Sequence, residues 1–259
     1  MLFTDQLNNT IELKEFPKRI ISIVPSQTEL LWDLGLRDEL VGITKFCIHP
    51  DEMFRAKERV GGTKQLNFDK IRSLKPDLII GNKEENEYSQ IIELQKEFNV
   101  WMSDIYNLQD SLKTIMQIGE ITNRTQKATE LSQAIALEFE LLNKYNKRVL
   151  YLIWNNPMMA IGNVTFIGDM LRLNGLQNVL TDANARYPEI SVEQIKDLKP
   201  DFILLSSEPY PFKEQHIQYF NEQFPFAKTV LVDGEMFSWY GSRLLKSPAY
   251  FKSLSNILS

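Results

Sequence analysis

The sequence predicts an α/β protein made of two parallel-sheet lobes joined by a single long helix. First, a twelve-residue phrase at 71–82 recurs at 195–206, with Leu-Lys-Pro-Asp at the same place in both copies. Second, the blocks that precede each copy follow the same order. Third, residues 107–146, between the two halves, contain no strand-like stretch. Apolar runs that alternate with helical stretches are typical of parallel sheets, so we expect one sheet in each half.

Each copy of the phrase has the pattern of a helix end, a break and a strand. Proline lacks the backbone N–H that a helix needs, so Pro76 and Pro200 mark helix ends. Apolar runs follow at 78–80 and 202–205. Upstream, residues 19–24 and 148–153 are matching apolar strands, and Gly35 and Gly175 each close a helix. We therefore predict an N-terminal lobe over 1–106 and a C-terminal lobe over 147–259.

The connector over 107–146 is predicted to be helical throughout. One helix is expected over 110–122, and a second begins after an N-cap at Thr125 and continues to about Tyr145. About 20 residues at 1.5 Å each make a rod of roughly 30 Å. A flexible linker would instead be rich in Gly, Ser or Pro. We expect a bridging helix; one more layer helix of a single domain is the alternative.

Composition excludes several classes of protein. The net charge of −5 argues against a nucleic-acid partner, and no apolar run approaches the roughly 20 residues that span a bilayer. The first residues lack the basic and apolar regions of a signal peptide. The chain as given is therefore expected in the cytoplasm, or in the periplasm or on a lipoprotein anchor if a leader was removed. The single cysteine, Cys47, allows no internal disulfide.

Candidate ligand-binding residues follow from the predicted sheets, because ligands bind beyond the carboxyl ends of parallel strands. Segments after strands or between helices supply Ser26, Gln27, Cys47, Thr63, Lys64, Asn155 and Glu208. The segment 236–243 adds three aromatic residues within four positions, Phe237, Trp239 and Tyr240. Aromatic faces bury flat ligands well, although core packing is the alternative for each. Arg243 would pair with a ligand carboxylate or bond to nearby backbone.

Neither a metal site nor an active site is predicted. Cys47 and His49 lie two positions apart, but two ligands do not make a zinc site. An axial bond from His49 to the metal of a chelate is the alternative. The sequence lacks a Gly-x-Ser-x-Gly elbow, a P-loop and a His-Glu-x-x-His motif. We therefore expect no catalytic residues and no enzyme.

Several motifs resemble those of the helical-backbone metal receptors. These class III periplasmic-binding-protein-like proteins are the substrate-binding components of ABC importers for cobalamin, ferric siderophores and haem. The likeness runs in family order from about Arg19 to the C-terminus and is strongest to the cobalamin-binding branch. The motifs are PSQTELL at 25–31, VGG at 60–62, LKPDLII at 74–80, TFIGDML at 165–171 and SVEQI at 191–195.

The resemblance implies roles for individual residues. It implies a ligand held in a cleft between two lobes with little hinge movement. Trp154 and Tyr187 match ligand-contacting aromatic positions, whereas Thr63 stands where a cobalamin binder carries a Trp. Asp69 and Glu193 match the acids, one per lobe, that pair with permease arginines. Acids in a first helical turn also complement the helix dipole, which is the alternative role.

These observations predict a monomeric binding protein that captures cobalamin or another corrinoid for an ABC permease, with no covalent cofactor. A ferric siderophore or haem is the alternative ligand. A cytosolic corrinoid or haem carrier, or a sensor without a permease, is the alternative role. An enzyme on the same α/β scaffold is the third hypothesis.

Overall fold

The chain folds into two structural units, each with its own parallel sheet. A computed structural model describes residues 1–142, 144–182 and 185–258. Unit 1 comprises Met1–Ile105, Gln109–Ala136 and Tyr240–Leu245, and unit 2 comprises Tyr106–Leu108, Leu137–Trp239 and Lys246–Ser259. The predicted segment limits of 1–106, 107–146 and 147–259 stay a prediction.

Strands and helices alternate along most of the chain. The strands are β1 (Leu2–Thr4), β2 (Thr10–Glu12), β3 (Ile20–Ser22), β4 (Leu40–Ile43), β5 (Glu58–Arg59), β6 (Gly61–Gly62), β7 (Gln65–Leu66), β8 (Leu78–Asn82), β9 (Val100–Ser103), β10 (Lys147–Trp154), β11 (Met159–Ala160), β12 (Leu176–Asn178), β13 (Phe202–Ser206) and β14 (Lys228–Val232). The helices are α1 (Pro25–Asp33), α2 (Asp51–Ala56), α3 (Phe68–Leu74), α4 (Tyr88–Gln95), α5 (Leu108–Ile121), α6 (Thr125–Glu140), α7 (Phe166–Leu173), α8 (Val192–Leu198), α9 (Glu214–Gln223), α10 (Gly234–Ser238), α11 (Ser247–Ser253) and α12 (Ser255–Leu258). A 3₁₀ helix spans Ser242–Leu245.

Unit 1 is built on five parallel strands in the order β5-β4-β3-β8-β9. All residues of β3, β8 and β9 are buried, as expected for a parallel sheet covered on both faces. The core on this sheet includes Ile21, Ile71 and Ile79, which have no exposed surface. Two antiparallel pairs, β1-β2 and β6-β7, lie outside the sheet.

Unit 2 repeats this arrangement around β10. Strand β10 pairs in parallel with β12 on one side and β13 on the other, and β13 pairs in parallel with β14. The order β12-β10-β13-β14 therefore corresponds to β4-β3-β8-β9 of unit 1. The short strand β11 pairs antiparallel with the end of β10. Leu150, Ile203 and Leu205 are fully buried in the core of this unit. The predicted α/β class with a parallel sheet in each half is confirmed.

The repeated Leu-Lys-Pro-Asp phrase forms the same helix-to-strand turn in both units. Lys75 follows α3 with φ of 48° and Lys199 follows α8 with φ of 44°, both in the left-handed region. This conformation ends each helix at the residue before proline. Left-handed backbone is costly for a residue with a side chain, so surrounding contacts must hold it.

An aspartate and an arginine hold each turn. Asp77 accepts a hydrogen bond from the backbone N–H of Arg19 at 3.0 Å, and Asp201 accepts one from Arg148 at 2.8 Å. The same arginine side chains donate back to the helix ends, to the carbonyl oxygens of Leu74 and Leu198. These contacts connect the start of β3 to the end of α3 in unit 1, and the start of β10 to the end of α8 in unit 2.

The long helix of the connector is shorter than predicted. Helix α6 has 16 residues, about 24 Å, and ends at Glu140 instead of continuing to about Tyr145. Thr125 is its first helical residue and not the preceding cap. Ala128, Ile135 and Phe139 form its buried stripe. Beyond the helix, Asn146 adopts a left-handed φ of 50°, which directs the chain into β10.

None of the described helices has both the length and the apolar composition that a membrane crossing requires.

Candidate functional site

The first turn of α1 places Ser26 and Gln27 directly after β3, at the carboxyl end of the unit 1 sheet. Gln27 has no exposed surface, and its amide nitrogen donates to Ser103 Oγ at 2.5 Å and to the Gly81 carbonyl oxygen at 3.2 Å. Asn82 donates to the same Ser103 Oγ at 2.9 Å. Gln27 therefore joins α1 to β8 and β9 at the carboxyl end of the unit 1 sheet.

Cys47 is a buried residue of the segment after β4. Its Sγ lies 3.1 Å from Thr28 Oγ1 and 3.1 Å from Thr44 Oγ1. Burial raises the pKa of the Cys47 thiol, and the two threonine hydrogen bonds oppose that rise. The thiol is thus protonated and enclosed, which suits a structural role better than contact with a ligand.

The exposed apolar side chains of the same segment are Phe46 and Ile48, which are 50% and 47% exposed. The Phe46 ring lies over Gly62, where an added Cβ would be 3.2 Å from Phe46 Cε2. Lys45 Nζ lies 5.1 Å from the centre of that ring. Phe46 is therefore an aromatic surface that the sequence reasoning passed over in favour of Cys47.

Thr63 and Lys64 follow that glycine pair. Thr63 is half-buried, and its carbonyl oxygen accepts a hydrogen bond from the Asn86 side chain at 3.0 Å. Lys64 is exposed, and its Nζ donates to the carbonyl oxygen of Glu84. Both residues thus remain reachable from solvent in unit 1.

The Tyr240–Leu245 segment joins unit 1 through a buried ion pair. Arg243 Nε donates to Glu29 Oε2 at 2.8 Å, and Arg243 Nη2 donates to Glu29 Oε1 at 2.9 Å. Both side chains are less than a tenth exposed. Gly241 donates its backbone N–H to Ser111 Oγ at 3.2 Å. The Glu29 side chain is a partner that the two predicted roles of Arg243, a ligand carboxylate or nearby backbone, had not named.

Tyr240 is buried, with 7% of its surface exposed. Desolvation, followed by the negative charge of Glu85, raises the pKa of Tyr240 well above its usual value. Hydrogen bonds with Ser26 and Ser103 partly oppose this rise. The phenol therefore stays neutral at physiological pH.

Unit 2 exposes two aromatic side chains that the sequence had singled out. Trp154, the last residue of β10, is 39% exposed and meets Tyr210 edge to face at 5.6 Å. Tyr187 is 36% exposed. The Arg186 guanidinium lies 4.6 Å from the Tyr106 ring centre and 5.7 Å from that of Tyr187. Asn155, next to Trp154, is half-buried.

Glu208 and Trp239 contact each other within unit 2. Glu208 Oε1 accepts hydrogen bonds from Trp239 Nε1 at 3.0 Å and from Ser238 Oγ at 2.6 Å. Trp239 is only 8% exposed. Phe237 has no exposed surface and packs on Tyr151 at 5.3 Å, so its predicted alternative, core packing, matches its position.

An open pocket of about 570 Å³ lies beyond the carboxyl ends of β13 and β14. Its lining residues are Ser207, Glu208, Phe212, Leu231, Val232, Asp233 and Glu235. Glu208 is thus the predicted site residue that borders this pocket.

The two acids predicted to dock on a permease both lie on exposed helix starts. Asp69 is in the first turn of α3 with its side chain 96% exposed, 3.3 Å from Arg72. Glu193 is in the first turn of α8, where its backbone N–H, and then Ser191, lower the pKa of its carboxyl. Their equivalent positions follow from the repeated helix, but docking itself stays a prediction.

Within residues 1–142, 144–182 and 185–258, no group of three or more His, Cys, Asp or Glu side chains is arranged to hold a metal ion.

The fold and the repeated motifs match a known family. A sequence profile described as "Periplasmic binding protein" matches residues 20–225. The chain belongs to the periplasmic binding protein family. A vitamin B12-binding protein of Vibrio vulnificus is 28% identical over 204 residues, which are 76% of this chain and 74% of the relative. An uncharacterized ABC transporter substrate-binding lipoprotein of Bacillus subtilis is 28% identical over 213 residues, covering 77% and 67%.

Solved structures of other periplasmic binding proteins share the fold of this family member. A periplasmic haem-binding protein in complex with two haems has a TM-score of 0.82 at 20% identity, covering 93% of this chain and 99% of that one. The periplasmic vitamin B12-binding protein of Vibrio cholerae has a TM-score of 0.76 at 21% identity, covering 94% and 98%. The predicted class III architecture is confirmed.

Proposed function

We propose that this periplasmic binding protein is the substrate-binding component of an ABC importer and captures a bulky metal chelate without altering it. The observation that carries the proposal is the exposure of aromatic rings near strand ends, at Phe46 in unit 1 and at Trp154 and Tyr187 in unit 2. An exposed aromatic ring beside the end of a strand is a large apolar surface that suits contact with a flat ligand.

The proposed ligand contacts divide by exposure. The open rings supply apolar faces, and Lys64 and Asn155 supply polar groups for the ligand rim. Gln27, Cys47, Phe237 and Arg243 are buried, so they hold the surface in place. Ser26, Thr63, Glu208, Trp239 and Tyr240 belong to the proposed site with smaller accessible areas. Asp69 and Glu193 are the proposed contacts with the permease.

Cobalamin or another corrinoid is the first candidate ligand. Sequence relatives described as vitamin B12-binding proteins support it. Thr63, where the resemblance would place a Trp, leaves room for a different chelate, and haem and ferric siderophores are the alternatives. The importer role implies a periplasmic or lipoprotein-anchored location. A cytosolic carrier or sensor of the same ligands is the alternative if no permease binds the protein.

A ligand panel tests the proposal directly. Cyanocobalamin, cobinamide, haemin and ferrioxamine B are titrated into the protein by isothermal calorimetry, with tryptophan fluorescence as a second readout. At least one is expected to bind saturably and to raise the melting temperature, because a ligand that binds only the folded state stabilises it. If all four produce neither heat nor a shift in melting, the proposed ligand class is wrong.

Substitution of an exposed ring tests its place in the site. Trp154→Ala and Tyr187→Ala are each expected to weaken binding of the best ligand at least tenfold, about 1.4 kcal/mol. Tyr88→Ala is the matched control, because Tyr88 is 76% exposed on α4 and has no proposed role. Equal affinity of all three variants and the unsubstituted protein would remove Trp154 and Tyr187 from the site.

A further inference from the structure

Tyr210 lies beside the exposed Trp154. Its backbone N–H donates to the carbonyl oxygen of Ile153 at 3.3 Å, which holds the segment after β13 against the end of β10. Its ring meets the Trp154 ring edge to face, at 5.6 Å between centres and 67° between planes. The side chain is half-buried. Tyr210 therefore borders the surface on which the proposed ligand would rest.

The tautomer of His216 follows from its hydrogen bonds. His216 Nδ1 lies 2.8 Å from the backbone nitrogen of Lys213. A backbone N–H can only donate, so Nδ1 accepts and the neutral imidazole carries its proton on Nε2. The Lys213 carbonyl oxygen is farther from Nδ1, at 3.2 Å. His216 Nε2 is 3.3 Å from Tyr210 Oη, so this N–H donates and the Tyr210 oxygen accepts.

Ring packing fixes the pair. The Tyr210 and His216 ring centres are 5.6 Å apart, and Phe212 packs on both, at 4.7 Å from Tyr210 and 5.3 Å from His216. Among the described residues, His216 is the one recorded hydrogen-bond partner of Tyr210 Oη. Since that oxygen accepts from His216, the Tyr210 hydroxyl proton is left to donate elsewhere.

We propose that Tyr210 is a further ligand-binding residue, and that His216 positions its hydroxyl to donate to an acceptor on the rim of the ligand. The acceptor is a carboxylate or an amide carbonyl, the groups that border porphyrins and corrins. This inference rests on the proposed function and adds a polar contact beside the Trp154 face. His216 acts through Tyr210 and does not itself touch the ligand.

A double-mutant cycle tests the pair, using whichever of cyanocobalamin, cobinamide, haemin and ferrioxamine B the unsubstituted protein binds most tightly. Tyr210→Phe removes only the hydroxyl and is expected to weaken binding about five- to tenfold, the effect of one lost hydrogen bond. His216→Phe keeps the ring contacts but removes the donor, and a smaller loss is expected. In the Tyr210→Phe background, His216→Phe should cost nothing further, because its effect passes through the hydroxyl.

Tyr219→Phe is the matched control. Tyr219 is on α9, the helix that carries His216, and is 47% exposed. Its substitution removes a tyrosine hydroxyl, as Tyr210→Phe does. The Tyr219→Phe variant is expected to bind the ligand as tightly as the unsubstituted protein. The melting temperature of every variant is measured as well, to show that each one folds.

Three outcomes overturn the inference. If Tyr210→Phe binds as tightly as the control, Tyr210 does not contact the ligand. If the two substitutions add independently, His216 does not act through Tyr210. If the unsubstituted protein binds none of the four chelates, the proposed function fails and the inference falls with it, a result distinct from the other two.

Discussion

The ion pair between Glu29 and Arg243 puts two opposite charges where water hardly reaches, with side chains 5% and 7% exposed. Removing a charge from water is costly, and the two parallel hydrogen bonds between these groups offset that cost. The pair joins α1 to a segment 214 positions away. The contribution of this ion pair to stability is therefore largest when one of the two charged side chains is removed and the other stays buried.

We expect Arg243→Met to lower the free energy of unfolding by about 3–5 kcal/mol, because the buried Glu29 carboxylate would lose its ion pair with Arg243. Urea denaturation followed by circular dichroism measures the loss. Arg55→Met is the control: Arg55 pairs with Asp51 at 2.7 Å, but the two side chains are 78% and 68% exposed, so the loss should stay below about 1 kcal/mol.

The double variant Glu29→Leu/Arg243→Met tests whether the ion pair is the cause of the expected loss of stability. Replacing both charged side chains by apolar ones leaves neither charge buried, so most of the lost stability should return. If the double variant is as unstable as the two single losses added together, the pair is not the cause.

At the scale of residues, the sequence predicts segments that follow the strands but not the orientation of their side chains. It took Cys47 as the ligand contact, whereas Cys47 lies between Thr28 and Thr44 and Phe46 faces solvent. Strand alternation predicts which side chains point outward, but β4 ends at Ile43, before this segment. Similarly, nothing local to Arg243 indicates Glu29.

At the scale of elements, the left-handed lysines after α3 and α8 are the clearest sign of the duplication. Lys75 and Lys199 adopt nearly the same φ, 48° and 44°, and both precede the Pro-Asp of their turn. Glycine is the usual residue in this conformation because it has no Cβ to strain. The lysine backbone is therefore held in place by the aspartate and arginine contacts around it.

We expect Lys199→Gly to raise the free energy of unfolding by about 0.5–1 kcal/mol, because relief of the left-handed strain exceeds the extra chain entropy of glycine. The Arg148 side chain donates to the backbone oxygen of residue 199, so that contact survives the change. Lys196→Gly is the matched control. Lys196 lies inside α8, where glycine should cost about 1 kcal/mol. Urea denaturation measures the change in the free energy of unfolding for each variant. If both variants are less stable than the unsubstituted protein, the turn carries no strain.

Elements defined by local chemistry were predictable, and those defined by distant contacts were not. The Pro-Asp break fixes where α3 and α8 end, because proline acts on the residue before it. The end of α6 has no such signal. The apolar residues Leu141 and Leu142 continue the helical spacing, and the helix nevertheless stops at Glu140. The β11 strand was also missed, because two residues are too short for a pattern.

At the scale of the whole molecule, the two units are interleaved along the chain. The chain leaves unit 1 after Ile105, returns at Gln109, leaves again after Ala136 and comes back for Tyr240–Leu245. The last return brings Arg243 to Glu29. Unit 1 is therefore not a continuous segment, which the sequence could not predict because the contact joins residues far apart in the chain.

We expect a fragment of residues 1–142 to be much less stable than unit 1 in the full chain, because it lacks Tyr240–Leu245. In the full chain, Glu29→Leu should cost more than about 2 kcal/mol, since the buried Arg243 would lose its ion pair with Glu29. In the fragment the same substitution should cost nothing. Urea titrations of the four proteins measure both differences, and an equal loss in fragment and full chain would rule out this dependence.

The late return of Tyr240–Leu245 has a consequence for biosynthesis. A ribosome delivers the chain from its N-terminus, and Glu29 emerges long before Arg243 has been translated. Unit 1 consequently cannot reach its final packing while the chain is still being made. In the nascent polypeptide, unit 1 therefore stays incompletely folded until the Tyr240–Leu245 segment has left the ribosome.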